Sequence, residues 1–264
     1  MAQALLPPMF FPVPCRGHPN LMFNLVGPGD VNEVCEFVMN EFFHRFPRKD
    51  VLHVETEVRP WIGQYIAHVS SKNMSIVLRD VYCGYRIIAA AINDVDYKER
   101  QEDDTNLFTF ADPNLHPGWY TICSLLSKLN EGLSYNVDPI ISMDIIVCII
   151  SILINSSCVS FKFVSLSNFI LLVSTVSIIQ AIGECYCNQG LTALCTQVTI
   201  ELAEARGIHL ITIAVVNDFM SAMFASLGFQ KIREIDMNEL IIGGEKPFAV
   251  TDFTQKARVF IYSF

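Results

Sequence analysis

Hydrophobic residues in the C-terminal half of the chain recur at the spacing of one helical face. From Leu191 the apolar positions follow the three- and four-residue steps of an α-helix, and Glu201, Glu204 and Arg206 fall between them. These apolar positions are Leu191, Leu194, Cys195, Val198, Leu202 and Ala205. The pattern predicts a helix that begins near Leu191 and ends at Gly207, which suits a C-cap.

A polar turn precedes this helix, and a β-rich run follows it. The turn is Cys187–Thr192, with Gly190 inside it, and the run is Ile208–Val216, rich in β-branched residues. After Asn217 a second helix is predicted, with one apolar face and an end at a Gly-Phe pair. That face holds Met220, Met223, Phe224 and Leu227, and the pair is Gly228 and Phe229.

The glycine before the first helix predicts an anion site. The first turn of a helix has backbone N–H groups without partners inside the helix and carries a partial positive charge. A glycine there lets a phosphate group approach those amides closely, so Gly190 favours a diphosphate ligand. An ordinary turn and cap explains one glycine equally well.

The first hundred residues predict a strand, a helix and a hairpin. Leu21–Val26 is typical of a strand, and Asp30 stands where it would cap the following amphipathic helix. Ser75–Asp80 and Tyr85–Ile92 predict the two strands of a hairpin that turns at Cys83-Gly84.

This order of elements resembles the GNAT superfamily of acetyl-CoA-dependent N-acetyltransferases, whose diphosphate loop is Arg/Gln-x-x-Gly-x-Gly/Ala. The resemblance implies an α/β (α+β) fold with a mixed, mostly antiparallel twisted sheet and helices on both faces. It also implies acetyl-CoA as co-substrate. The residues it assigns to acetyl-CoA are Ile182, Cys187, Asn188, Gln189, Gly190, Leu191, Thr192 and Asn217.

Within the superfamily the layout most resembles the arylalkylamine N-acetyltransferases, including the dopamine-type enzymes. Several residues of the family motifs are replaced in this sequence. Cys187 and Thr192 replace two loop residues, and Phe46 replaces the glutamate that serves those enzymes as general base. Phe224 replaces the tyrosine that protonates the departing thiolate in many members, and phenylalanine has no proton to donate.

Acetyl transfer to an amine needs a base, a polarised thioester carbonyl and a proton for the leaving thiolate. The carboxylates of Asp144 and Glu184, on or beside the central strand, are the candidate bases. The alternative is that both are solvent-exposed acidic residues at a strand end, without a catalytic role. Ser221 is the candidate proton donor, with helix capping as its alternative role. His44 and His53 are further candidate bases, or else surface histidines.

Aromatic residues are expected to line an acceptor pocket, because the resemblance places this pocket in less regular segments. The alternative is that they belong to the hydrophobic core. They are Trp61, Tyr65, Phe108, Phe110, Trp119 and Tyr120.

An apolar insert at 147–180 has no counterpart in the family pattern and contains Lys162 as its one charged residue. Three interpretations remain: a membrane helix, an extra hairpin, or translated non-coding sequence. Codons for Val147-Cys148 and Ile179-Gln180 can match splice-site consensus, so we favour a retained intron. Its removal would join Ile140–Ile146 directly to Ala181.

Composition sets the remaining bounds. The chain has 264 residues, of which 52% are hydrophobic, and a net charge of −9. That charge argues against nucleic acid as a main partner and fits a cationic amine. Nine cysteines lack the spacing of a metal site, so none is expected. Residues 1–19 are a proline-rich extension without a basic leader, so a cytoplasmic location is expected.

The sequence therefore predicts a single N-acetyltransferase domain over 20–264. It would transfer acetyl from acetyl-CoA to a small primary amine, such as an arylalkylamine. The first alternative is a catalytically impaired relative that still binds CoA. The second is a protein anchored in a membrane through 147–180.

Overall fold

The fold is built on one nine-stranded sheet. The computed structural model describes residues 11–43, 53–96, 107–133, 140–145, 179–182, 190–216, 218–249 and 256–264. The strands are β1 (Val13–Pro14), β2 (Leu21–Leu25), β3 (Ile76–Asp80), β4 (Arg86–Asp96), β5 (Ile140–Ile145), β6 (Ile179–Ile182), β7 (Leu210–Val215), β8 (Gln230–Asp236) and β9 (Lys256–Ser263).

Six α-helices accompany the sheet within these ranges. They are α1 (Val31–Glu41), α2 (Val54–Val58), α3 (Ile62–Ser71), α4 (Pro117–Asn130), α5 (Leu191–Ala205) and α6 (Asp218–Ser226). Two 3-10 turns cover Leu107–Phe110 and Met237–Glu239. The strand at 21–26, the hairpin, and the helix after Gly190 are thus confirmed, and the second hairpin strand runs four residues beyond the predicted Ile92.

The strand order is β1-β2-β3-β4-β5-β7-β9-β8, and β6 also pairs with β4. The β5–β7 pair is parallel, and the other described pairs are antiparallel. Parallel neighbours need a long crossover connection, whereas most of this sheet is a meander of antiparallel neighbours. The expected mixed, mostly antiparallel sheet is confirmed.

Each face of the sheet carries its own hydrophobic core. On one face Val77, Ala90 and Ile92 pack with side chains of α1, α3 and α4. On the other face Leu78 and Ala89 pack with side chains of α5 and α6. Strands covered on both faces are apolar at nearly every position, which explains why β7 is buried throughout and has Thr212 as its one polar residue. Helices on both faces are therefore confirmed.

The start of α1 is fixed to β3 by a buried arginine. The carboxylate of Asp30 accepts a hydrogen bond from Gly27 N–H at 2.8 Å and another from Arg79 at 2.8 Å. Arg79 also donates to both carboxylate oxygens of Glu33. Burial acts to lower the pKa of Arg79, but the hydrogen bond and charge of Glu33, with the charge of Asp30, raise it above the ordinary value. Asp30 stands at the N-cap as expected, but its side chain bonds this network instead of the helix amides.

The prediction that the aromatic residues lie in irregular segments was wrong for two of them. Tyr65 lies inside α3 and Trp119 inside α4, whereas the family resemblance had placed both in less regular segments. The prediction failed because long-range packing organises these stretches: Trp119 is fully buried against other aromatic rings.

No helix in the described ranges has the length and apolar content needed to cross a membrane. The same residues contain no group of three His, Cys, Asp or Glu side chains that could hold a metal ion. Among the described cysteines none forms a disulfide. Residues 146–178, which include nearly all of the insert, lie outside the described residues.

Candidate functional site

Two parallel strands separate in the middle of the sheet. β5 pairs with β7 where Ile140–Ser142 lies beside Leu210–Thr212. Beyond Thr212, the described pairing of β7 is with β9 alone, while β5 continues along β4 to Ile145. Two parallel strands that diverge leave backbone N–H and C=O groups facing the gap, where an extended ligand can bind between them.

A β-bulge lies in β5 just where the strands separate. Ser142 pairs with Asp94 and Ile145 pairs with Ile92, so Met143 and Asp144 together face the single residue Asn93. An extra residue in one strand breaks the ladder locally and bends the strand, and bulges are common beside active sites. The structure thus places the candidate base Asp144 within β5, at the bulge and at the opening of the gap.

The line of β5 is continued by β6. Ile179 pairs with Ile92, and the ladder runs on to Ile182, which pairs with Ala89. Ile182, one of the expected cofactor contacts, is the last residue of this strand. From there the chain runs through 183–189 to the start of α5, so the helix begins a short distance in sequence after the strand that borders the gap.

Gly190 is the N-cap of α5 and adopts the left-handed conformation, with φ +70°. The residue is exposed, and a Cβ there would meet no heavy atom within 4 Å. The first backbone bond of the helix runs from Leu194 N–H to Gly190 O at 3.2 Å. Glycine offers no side-chain oxygen as a cap, so this end of the helix retains its positive partial charge and suits an anion.

The N-terminus of α4 shows the opposite arrangement. The Glu57 carboxylate accepts hydrogen bonds from Gly118 N–H at 3.1 Å and Trp119 N–H at 2.7 Å. An acidic side chain of the protein already occupies this helix end. A phosphate is therefore excluded from the N-terminus of α4 by Glu57, whereas the N-terminus of α5 has no side-chain cap.

Ser221 lies near the carboxyl end of β7. Its hydroxyl oxygen accepts a hydrogen bond from Arg258 at 3.1 Å, and Arg258 pairs with Val215, the last residue of β7. Arg258 also contacts Asp218 at 2.6 Å and Glu234 at 2.9 Å. The Arg258 guanidinium therefore holds the Ser221 side chain in place beside the end of β7.

Phe224, at the place of the family tyrosine, is a core residue. Its side chain is fully buried and packs edge-on against Phe229, with ring centroids 5.1 Å apart. The centroid of the Phe260 ring lies 6.5 Å from that of Phe224. A ring in this apolar cluster stabilises the fold and supplies no proton.

The expected aromatic wall is largely a packed cluster. The Trp61 ring stacks on Phe110 at 4.4 Å with an interplanar angle of 5°, and it lies 5.2 Å from Trp119. Trp61, Tyr65 and Trp119 are buried, whereas Phe108 and Tyr120 are partly exposed. Since the buried rings contact one another, the structure supports their alternative role in the core.

Several predicted site residues fall outside the described residues. They are Glu184, Cys187, Asn188, Gln189 and Asn217, together with His44 and Phe46. Of the others, Leu191 and Thr192 begin α5 and are buried, and His53 is exposed before α2. Of the predicted site residues, the structure thus describes the backbone positions of Asp144 in β5, Ile182 at the end of β6, Gly190 before α5 and Ser221 in α6.

The sequence did not reveal the role of Arg258. This residue joins Ser221, Asp218 and Glu234, which are 24 to 40 positions away in the chain. A contact of this separation leaves no local pattern. The one available signal is a charged residue within the hydrophobic run from Ala257 to Tyr262 of β9.

Solved structures of N-acetyltransferases share this fold. Arylalkylamine N-acetyltransferase 2 from Aedes aegypti is 18% identical, with a TM-score of 0.67 over 92% of this chain and 99% of that one. A polyamine N-acetyltransferase from Drosophila melanogaster is 12% identical, with a TM-score of 0.65 over 92% and 100%. An agmatine N-acetyltransferase variant in its apo form gives 12% identity and a TM-score of 0.66 over 93% and 100%. No family model matches the sequence, and no curated protein matches it either. The expected GNAT fold is confirmed.

Proposed function

We propose that this protein is an N-acetyltransferase that transfers the acetyl group of acetyl-CoA to a small primary amine. The observation that carries the proposal is the gap between β5 and β7 with the α5 N-terminus beyond it. An extended thioester arm fits between diverging strands, and a diphosphate fits the amides at a helix start. Acetyl-CoA carries both groups in one molecule.

In the proposed reaction no covalent bond forms between the protein and the acetyl group. The amine nitrogen attacks the thioester carbonyl carbon, the new C–N bond forms, the C–S bond breaks, and the amine loses one proton. The carbonyl oxygen becomes negative on the way and needs N–H donors, which the strands beside the gap supply from their backbone. Asp144 or Glu184 would take the amine proton, and Ser221 would donate a proton to the thiolate.

Small cationic amines are the proposed acceptors. The chain carries a net charge of −9, which attracts cations over a distance set by ionic strength. The solved structures that share the fold include proteins titled as arylalkylamine, polyamine and agmatine N-acetyltransferases. Dopamine, tryptamine, agmatine and spermidine therefore form the test panel.

A CoA-binding protein without turnover is the second candidate. The buried Phe224 ring favours it, because this position offers no proton to the leaving thiolate. Ser221 is the candidate donor on the same helix, and the Ser221→Ala variant tests this role once the parent protein shows turnover of an amine. If Ser221 is the donor, this change lowers kcat by roughly 10²-fold and leaves acetyl-CoA affinity unchanged.

Two measurements test the proposal. Isothermal titration with acetyl-CoA measures binding, and mass spectrometry of the N-acetylated amine measures turnover without interference from protein thiols. Binding together with product from any panel amine supports the enzyme. Binding with no product from any amine supports the second candidate, and no binding refutes both.

The base is identified by a pair of variants. Asp144→Asn and Glu184→Gln each remove one carboxylate and change the side-chain volume very little. The variant that loses turnover and also loses the acidic limb of the kcat/KM profile against pH identifies the base. Unchanged profiles in both variants would exclude both carboxylates.

A further inference from the structure

β5 and β6 both pair with β4, and their ladders overlap at one residue of β4. Ile145, the last residue of β5, pairs with Ile92, and Ile179, the first residue of β6, pairs with Ile92 as well. β4 has β3 along its other side, so both isoleucines lie on the same side of it. A single position of the ladder is thus assigned to two residues of the chain.

The separation of these two residues equals the length of the atypical segment. Ile179 and Ile145 are 34 positions apart (179 minus 145). The segment 147–180, which has no counterpart in the family pattern and whose end codons can match splice-site consensus, also spans 34 residues. The strand pairing and the break in the sequence pattern thus give the same length.

Removal of 34 residues would leave the sheet in register. With 147–180 deleted, Ile146 would be followed by Ala181, which already pairs with Ala90, and Ile182 would keep Ala89 as its partner. Ile146 would then stand opposite Ala91, in the place that Gln180 now holds. Register matters here because a shift of one residue turns every following side chain to the other face.

We infer that residues 147–180 interrupt a single strand, and that the chain without them is the mature form, encoded by a message from which these codons are spliced. In that form β5 and β6 are one strand. Beyond Ser142 it borders the gap, and it leads on in sequence toward Gly190. The inference rests on strand registers, so it holds or fails independently of acetyl-CoA binding.

A series of deletions tests this register. Two chains lack 34 residues, Δ147–180 and Δ146–179, and differ in whether Ile146 or Gln180 stands opposite Ala91. Two matched controls, Δ147–179 and Δ146–180, remove one residue fewer and one residue more. All four are compared with the full chain by thermal unfolding.

The expected result follows from the alternation of side chains along a strand, because a one-residue shift moves each following side chain to the opposite face of the sheet. Both 34-residue deletions should unfold at a Tm equal to or above that of the full chain, and both controls should unfold several degrees lower. Sequencing of mature transcripts should find a message without the 34 codons. Equal Tm values across all deletion lengths, 34-residue deletions less stable than the full chain, or retention of the codons in every mature message would each overturn the inference.

Discussion

Gly190→Ala, compared with Gly207→Ala, separates ligand binding from helix stability. Gly190 begins α5 and Gly207 follows its end, with φ +70° and +68°. Both residues are exposed, and a Cβ at either position would meet no heavy atom within 4 Å. The two glycines are therefore matched in backbone conformation and in surrounding space.

The expected loss of stability is the same for both variants. A left-handed conformation costs an L-residue about 1–2 kcal/mol. Alanine also reduces the freedom of the unfolded chain, which offsets roughly 0.4–1 kcal/mol of this cost. A net loss of about 1 kcal/mol lowers the Tm of a domain of this size by about 2–4 °C.

The expected loss of affinity is confined to Gly190. A methyl group there takes up space beside the exposed helix start that a phosphate would approach, and we expect it to weaken the hydrogen bonds from the first-turn amides. A hydrogen bond to a charged group contributes about 1.5–3 kcal/mol, which corresponds to a roughly 10- to 100-fold rise in the Kd of acetyl-CoA. Gly207 lies at the negative end of the helix, so its variant should keep the affinity of the parent.

A third variant distinguishes strain from obstruction. Asparagine tolerates the left-handed region better than alanine, so Gly190→Asn should lose less stability than Gly190→Ala. Its longer side chain covers the same amides, so its affinity should fall at least as far. Thermal unfolding and isothermal titration measure the two effects. Equal affinities of the Gly190 and Gly207 variants would refute a phosphate site at the start of α5.

Three further predictions concern stability and reactivity. Trp119→Ala removes a fully buried ring and should cost about 3–5 kcal/mol, whereas Tyr120→Ala, its exposed neighbour, should cost about 1 kcal/mol or less; urea unfolding measures both. Hydrogen bonds from three cations lower the pKa of Glu234, so its stabilisation is complete above its ordinary pKa of 4.5 and is lost as the pH falls through the lower folded value. Glu234→Gln should therefore lower the Tm at pH 7 and lose this effect in strong acid; a Tm difference that does not depend on pH would contradict the assignment. Iodoacetamide at pH 8 should label exposed Cys83 and spare Cys123, whose pKa burial raises, as peptide mass spectrometry would show; equal labelling in the folded protein would contradict this burial.

Local patterns determined much of the architecture. The three- and four-residue spacing from Leu191 predicted α5, and Gly207 predicted its end, where Gly207 N–H and Ile208 N–H bond back to carbonyls of the last turn. Helix caps, apolar faces and hairpins depend on residues within a few positions of one another. A sequence therefore records them directly.

Long-range pairing decided the site. Three features of the site depend on residues that are distant in the chain. They are the point where β5 leaves β7, the bulge at Asp144, and the contact between Arg258 and Ser221. The burial of Trp61 and Phe224 likewise depends on rings supplied by other elements. Residue spacing alone thus predicted α5, α6 and β7, while the tertiary structure decided that α3 and α4 form, where two strands part and which side chains lie around that gap. The physical reason is that hydrogen bonds between strands and contacts between packed rings are made in space, between segments whose order in the chain does not reveal their distance.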